Sequence, residues 1–338
     1  MLRRVLIGFG LVAVVVIGFV GYQLYHLLQS ETVKIDDRFY VVLGGGGNTA
    51  ILVGDDGVLV VDPKFLYPGR KLAKTIASLT DKPVKVIVNT HYHSDHTHGN
   101  ANYPPGIDII AQRRAREHLL QLDGDFWQME PAWSMLPNDL VDDEKQFQFG
   151  DETVRVIYPG RGHTDGDVVV YFTKRRILHT GDFFLHELYP FMDQRGGGSV
   201  RQWVTSLDAV LALRDVQEYI PGHGPLSTRA DVERFQSYLR TLVSQVEEQV
   251  GRGKSLSEIQ SGIDLRGYDD FRDIPFFTSR AKNVRWVYEE VQRQGRLPEG
   301  HPAARPLRLG SGQGWLARGM LLRPLLPTCW SQVSRKQG

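Results

Sequence analysis

Residues 89–96 read Asn-Thr-His-Tyr-His-Ser-Asp-His, directly after the apolar run Val84 to Asn89. This stretch narrows the possible folds more than any other. A short apolar run bounded in this way reads as a buried strand, so three histidines and an aspartate arrive together at a strand end. In extended backbone, residues two apart point the same way. His91 and His93 can therefore share one metal ion. Asp95 and His96 lie where the chain turns and can face a second. Zinc takes about four such nitrogen and oxygen ligands. A lone histidine pair would read as packed side chains, but four potential ligands within six residues do not.

Two ions need more donors, and the chain offers them in similar places. Gly162-His163-Thr164 follows the strand pattern of residues 153–158. Thr180-Gly181-Asp182 follows residues 177–179, and Pro221-Gly222-His223-Gly224 follows residues 218–220. Each donor sits just past a strand and beside glycine, which permits close backbone approach. The single cysteine, Cys329, stands far from all of them. No disulfide framework within the chain and no thiolate near the histidines is possible.

The rest of the pattern says what carries these strand ends. Short Val-, Leu- and Ile-rich runs at residues 39–43 and 49–61, broken at Gly54-Asp55-Asp56-Gly57, read as strands. Further strands are expected at 84–89, 107–111, 153–158, 168–173, 177–179 and 218–220. Helices are expected at 70–79, 113–122, 200–213, 229–250 and 280–293. Strands in two batches interleaved with helices imply a layered α/β domain over residues 31–297. Residues 298–338 are rich in Pro, Gly and Arg without periodicity and read as a disordered tail.

Residues 1–30 are of another kind. Arg3 and Arg4 precede eighteen residues, Val5 to Tyr22, with no charge or strongly polar side chain. A run of that length nearly spans a bilayer core of roughly 30 Å. With Glu31, Asp36 and Asp37 on the far side, the charges favour an inside N-terminus. The expectation is a membrane anchor, a transmembrane helix, with the domain on the extracytoplasmic (in bacteria, periplasmic) side. A cleaved signal peptide is the rival reading, but no small-x-small cleavage site follows the run. The formal net charge of +1 includes Arg3, Arg4 and six basic residues after His301; without these eight the remainder carries −7. A negative body lacks the basic face that nucleic acid requires.

The set of motifs resembles the metallo-β-lactamase fold superfamily, and within it glyoxalase II-like metallo-hydrolases. The resemblance runs from about Phe39 to about Tyr288. It rests on His-x-His-x-Asp-His at residues 91–96 and on the order of the later His163, Asp182 and His223. It implies a four-layer αββα sandwich with metals along one edge. Carried over residue by residue, His91, His93 and His163 would hold the first ion, Asp95, His96 and His223 the second, and Asp182 would bridge them. The cofactors implied are two Zn2+, with iron or manganese also suited to such ligands. Some true β-lactamases of the superfamily place a cysteine near the position of Asp182; an aspartate there is more like glyoxalase II and lactonases.

The implied function is a binuclear metal-dependent hydrolase of a small-molecule substrate, in which a metal-bridging hydroxide cleaves an ester, thioester, lactone or lactam. Asp95 would orient the nucleophile and carry its proton. Asp62, ending the run Val60-Val61-Asp62-Pro63, has a family counterpart that orients a ligand; a turn aspartate is the plain alternative. The aromatic stretch 126–136, with Trp127 and Trp133, is a candidate lid, and Tyr189 and Phe191 form a second candidate wall. Two rival classes share the scaffold or the ligands. One is a mononuclear iron persulfide dioxygenase; the other is a non-catalytic metal-binding accessory protein.

Overall fold

The computed structural model describes residues 29–274 and 277–294. The expected tail, 298–338, and all of the expected anchor, 1–30, except Gln29 and Ser30 lie outside the described residues; Ser30 opens a strand. Among the described residues, no helix is long and apolar enough to cross a membrane.

Twelve strands form two sheets. The first runs β1 (Ser30–Lys34), β2 (Phe39–Gly44), β3 (Thr49–Val53), β4 (Val58–Val61), β5 (Val84–Val88), β6 (Asp108–Gln112) and β7 (Asp139–Val141), side by side in chain order. It is antiparallel up to β4 and parallel from β4 to β7. The second sheet has the order β12-β11-β10-β9-β8. Its strands are β8 (Glu144–Phe149), β9 (Glu152–Ile157), β10 (Val169–Phe172), β11 (Ile177–Gly181) and β12 (Glu218–Pro221). Only β11 and β12 pair in parallel there.

Alternation along each strand sorts the core into layers, because successive side chains point to opposite faces. Val41, Leu52, Leu59, Val61, Val86 and Val88 of the first sheet meet Val154, Val156, Val170, Phe172 and Ile220 of the second in one buried cluster. Their neighbours Val42, Ile51, Val53, Val60 and Ile87 point the other way, onto Leu72 and Ile76 of α1 (Leu66–Leu79). On the second sheet, Val169, Tyr171, Leu178 and Tyr219 face outward. They pack on Trp203 and Leu207 of α5 (Val200–Leu211), Phe235 and Leu239 of α6 (Arg229–Gly251), and Val284 and Val287 of α8 (Arg280–Gln294). The layering is helix, sheet, sheet, helix.

The intervening helices are α2 (Ser94–Thr97), α3 (Arg113–Leu122), α4 (Gly124–Trp127) and α7 (Leu256–Gly262). The long run at 49–61 is two strands with a turn at Gly54–Gly57, where the Gly54 N–H donates to the Gly57 carbonyl. Strands β1, β7 and β8 carry polar or half-buried sequences such as Glu-Lys-Gln-Phe-Gln-Phe. They lack the apolar runs that reveal the others. β1 and β7 edge the first sheet, and β8 is one of the two edges of the second, β12 being the other.

Candidate metal centre

The chain direction of β4, β5, β9, β11 and β12 brings their C-terminal ends to one rim. β4 and β5 are parallel neighbours, as are β11 and β12. β9 is antiparallel to β10, and β10 to β11, so β9 runs with β11. Asn48 ties the two sheets together there. Its N–H donates to the Gly222 carbonyl at 2.8 Å, and its side-chain amide donates to Pro221 and Gly224 carbonyls at 2.9 and 2.8 Å. The seven sequence-picked donors all lie on this rim, in two groups. One group is His91, His93, His163 and Asp182; the other is Asp95, His96 and His223.

Asp182 lies between them. Its Oδ2 is 3.7 Å from His163 Nε2, while its Oδ1 is 3.1 Å from His96 Nε2 and 3.4 Å from His223 Nε2. Asp95 Oδ2 stands 3.2 Å from His223 Nε2 and 3.5 Å from His96 Nε2. Glycines make the approach possible. A Cβ at Gly222 would lie 2.0 Å from Asp182 Oδ1, and one at Gly47 would lie 2.2 Å from the His96 ring.

The outward nitrogen of each of four imidazoles is already claimed, which fixes where its other lone pair points. His163 Nδ1 donates to the Phe191 carbonyl at 2.6 Å. His96 Nδ1 donates to the Asp62 carboxylate at 2.7 Å. His93 Nε2 donates to the Asp193 carboxylate at 3.0 Å. Thr90 Oγ1 gives its single proton to Asp62 at 2.7 Å, so the contact at 3.0 Å must be His91 Nδ1 donating to Thr90. The inward atoms are then all acceptors. Yet His93 Nδ1 lies 2.9 Å from His163 Nε2 and 3.1 Å from His91 Nε2. Lone pairs facing each other at that range repel unless a cation sits among them. His96 Nε2 and Asp182 Oδ1 are likewise buried without a hydrogen bond. The donor set fits two divalent metal ions.

The electrostatics set the two groups apart: burial lowers His91 and His163 in the first, while in the second, against the cost of burial, Asp95 and Asp182 raise His96. Burial and the neighbouring His96 and His163 hold His91 well below the ordinary imidazole value. Burial and His93 lower His163 to about 4. Against the cost of burial, Asp182 and Asp95 raise His223 to about 9. Asp95 and Asp182 stay far below the usual carboxylate range despite burial, because His96 and His223 adjoin both. Ionised buried carboxylates of this kind require positive charge beside them.

Asp62 lies behind the donors. Its Oδ1 accepts the Thr90 N–H at 2.8 Å, and its Oδ2 accepts Thr90 Oγ1 and His96 Nδ1. It is fully buried, at φ +56°. That left-handed conformation costs roughly 1–2 kcal/mol in a non-glycine residue, offset here by the three hydrogen bonds. Asp193 does for His93 what Asp62 does for His96, and sequence reasoning missed it. It also accepts the Tyr92 hydroxyl. These two partners hold it well below the carboxylate range although burial opposes this. Lys64 was also missed. It is 1% exposed, and its ammonium donates to the Val42, Gly44 and Gly47 carbonyls at 3.0, 2.6 and 2.7 Å. It thereby fixes the glycine loop whose Gly47 N–H holds the Asp95 carbonyl. No local pattern marks either residue, since both act through contacts distant in sequence.

Two of the expected pocket walls are core instead. Trp127 is 0% exposed; its indole N–H donates to Asp123, and it packs with Tyr92, Leu119 and Leu136. Tyr189 is buried against Tyr238 and Phe271. Trp133 is 52% exposed but belongs elsewhere. It lines a surface cavity of about 380 Å3 with Arg116, Leu136, Pro137 and Leu140, and none of the seven donors lines that cavity. In the stretch 126–136, Phe126 and Trp127 thus serve packing beside α3, and Trp133 faces a cavity away from the donors. Phe191 does border the donors, with its ring centroid 5.7 Å from that of His93 and 5.6 Å from that of His163.

The chain is similar to known proteins. The family model described as "Metallo-beta-lactamase superfamily" matches residues 42–223. The 2,4-dinitroanisole O-demethylase subunit alpha of Nocardioides sp. (strain JS1661) is 28% identical over 267 residues, 76% of this chain and 73% of that protein. A metallo-beta-lactamase type 2 of Bacillus sp. (strain 170) is 24% identical over 187 residues, 54% of this chain and 68% of that one. Among solved structures, a metallo-beta-lactamase from Pontibacter korlensis matches with a TM-score of 0.54 at 20% identity, over 63% of this chain and 99% of that one. A sec-alkylsulfatase from Pseudomonas sp. matches with a TM-score of 0.65 at 18% identity, over 77% of this chain and 50% of that one. These structural likenesses concern the fold.

Proposed function

The chain belongs to the metallo-beta-lactamase superfamily, and on that premise we propose that it is a binuclear zinc hydrolase that cleaves an ester, thioester, lactone or lactam. One observation carries the reading: four imidazoles have their outward N–H groups claimed, so their lone pairs converge on two points with Asp182 between. His91, His93 and His163 would hold one ion, Asp95, His96 and His223 the other, and Asp182 both. Two such ions, when bound, acidify water and polarise a carbonyl oxygen.

The chain's own groups do the rest. Asp62 and Asp193 hold His96 and His93 in the tautomer and orientation the centre needs. Asp95, whose side chain is 19% exposed, is reachable from the opening. It orients the attacking water, takes its proton and passes that proton to the leaving group. Relatives named as a lactamase, an O-demethylase and an alkylsulfatase share the fold. What they have in common is thus the scaffold rather than one bond, and the carbonyl substrate is our own proposal, supported by the metal-ligand set.

The test is metal analysis of the purified protein beside a substrate panel of a lactam, a lactone, a thioester and glutathione persulfide. The expected result is two zinc ions per chain and cleavage of a carbonyl substrate. One iron per chain, with oxygen consumed on the persulfide, would overturn the reading in favour of a dioxygenase. Full biological activity of Asp95→Ala would instead point to a non-catalytic metal-binding role.

A further inference from the structure

The family model ends at residue 223, but the chain beyond it returns to the metal rim. Helix α8 is fastened along the segment between β11 and α5. Asn283 donates to the Pro190 carbonyl at 2.8 Å, and Gln194 donates to Glu289 at 2.9 Å. The Val200 N–H donates to Glu290 at 3.1 Å, and Ser199 Oγ also donates to Glu290. The segment so held contains Asp193, which orients His93, and Phe191, whose carbonyl orients His163.

The same fastening gathers three rings. Phe191 meets Trp286 of α8 with centroids 5.7 Å apart and planes at 67°, and meets Phe277 at 6.2 Å and 80°. Phe277 remains 59% exposed, and Phe191 and Trp286 are half-buried. Trp286 also packs on the core beneath α8, but Phe277 leaves most of its surface free, unlike Trp127 and Tyr189. On its other side, Phe191 touches the rings of two donors of the first group. Phe191 therefore borders the space beside that group. Edge-to-face pairs with centroids 4.5–7 Å apart are favoured among aromatic rings. The cluster already has that geometry and has an open side.

We propose that Phe191, Phe277 and Trp286 form the wall that receives an aromatic group of the substrate, so that the segment beyond His223 sets specificity while the family core supplies the metal donors. The placement of the reacting bond rests on the metallo-hydrolase reading; the ring-binding wall itself contains none of the metal donors. The reacting carbonyl would then lie within about one ring's length of the aromatic group.

The experiment compares benzyl mercaptan, cyclohexylmethyl mercaptan and ethanethiol as ligands of the full-length protein, with its metal and after chelation, by quenching of tryptophan emission and by ligand-observed NMR. Benzyl mercaptan is expected to bind about tenfold tighter than ethanethiol, and tighter than the cyclohexyl compound, in both forms. The preference should fall several-fold in Phe277→Ala, whose exposed ring carries little of the fold, and in Phe191→Leu. It should survive in Phe277→Tyr. Equal binding of the three thiols, or a preference untouched by Phe277→Ala and Phe191→Leu, overturns the wall. A cyclohexyl preference overturns its aromatic character. Failure of the metal reading shows separately, as no metal in the untreated protein and no effect of chelation, with the ring comparison still decided.

Discussion

Five histidines and two aspartates reach the rim from the ends of strands that the two sheets hold in register, and the outward atoms of four of the histidines are tied to Asp62, Asp193, Thr90 and the Phe191 carbonyl. Of the three rings beside them, Phe191 comes from a loop inside the family-matched residues and Phe277 and Trp286 from beyond them, and they are held by one another and by a few polar anchors on α8. The difference follows from what each must do. Metal ligands must converge to within a few tenths of an ångström, which favours rigid strand ends and supporting hydrogen bonds. A wall for an apolar group needs surface and approximate position only. A family can therefore keep the first and vary the second.

The sharpest way to break this comparison is to remove the carboxylate that joins the two donor groups. Asp182→Ala is expected to lower metal content below two ions per chain and to reduce turnover by roughly 10³-fold, the equivalent of about 4 kcal/mol in the barrier. Elemental analysis on the same sample as the kinetics checks both. Full metal content with full turnover would mean that the rim is not one unit. Next in size is Trp127→Ala. Deleting a fully buried indole is expected to cost about 3–5 kcal/mol in urea unfolding, with the Michaelis constant unchanged. A change in the Michaelis constant without loss of stability would return this residue to the pocket.

What could be read without coordinates follows the same division. The donors were legible because ligand types cluster at local spacing after apolar runs, as at 89–96 and beside Gly162, Gly181 and Gly222. The layering was legible because strands β2–β6 and β9–β12 are apolar enough to announce themselves, and α3, α5, α6 and α8 carry clear periodicity. Strands β1, β7 and β8 were not, since outer strands with polar faces look like loop. Asp193 and Lys64 were hidden because their partners lie elsewhere in the chain. Trp127 and Tyr189 were misread for the complementary reason: an aromatic residue without period looks the same whether it lines an opening or fills a core, and only burial separates the two. Phe277 and Trp286 had no signal at all, since their role exists only once α8 is fastened to the segment around Phe191.

The two supporting carboxylates give a finer test of the rim. Losing such a partner typically costs 10–100-fold in metal affinity. Asp62→Asn should weaken the ion near His96, and Asp193→Asn the ion near His93. The Asp62 change is expected to be the larger, because Asp62 is fully buried and also holds both Thr90 donors. Stepwise chelator titration separates the two ions; equal loss of both from either variant would mean that the donor groups respond as one.

The smallest expected effect falls on Trp133, and it bears on whether any wall stands on the 126–136 side. Its ring is half exposed and lines a cavity bounded by Arg116, Pro137 and Leu140 rather than by the donors. Trp133→Ala should therefore change stability by less than about 0.5 kcal/mol, as surface substitutions usually do, and should leave metal content and every Michaelis constant where they were. Phe277→Ala, at a similarly exposed ring on the other side, should alter ring preference. If Trp133→Ala raised the Michaelis constant several-fold and Phe277→Ala did not, the substrate would enter over α4, and the contrast between a fixed rim and a wall completed from beyond His223 would fail.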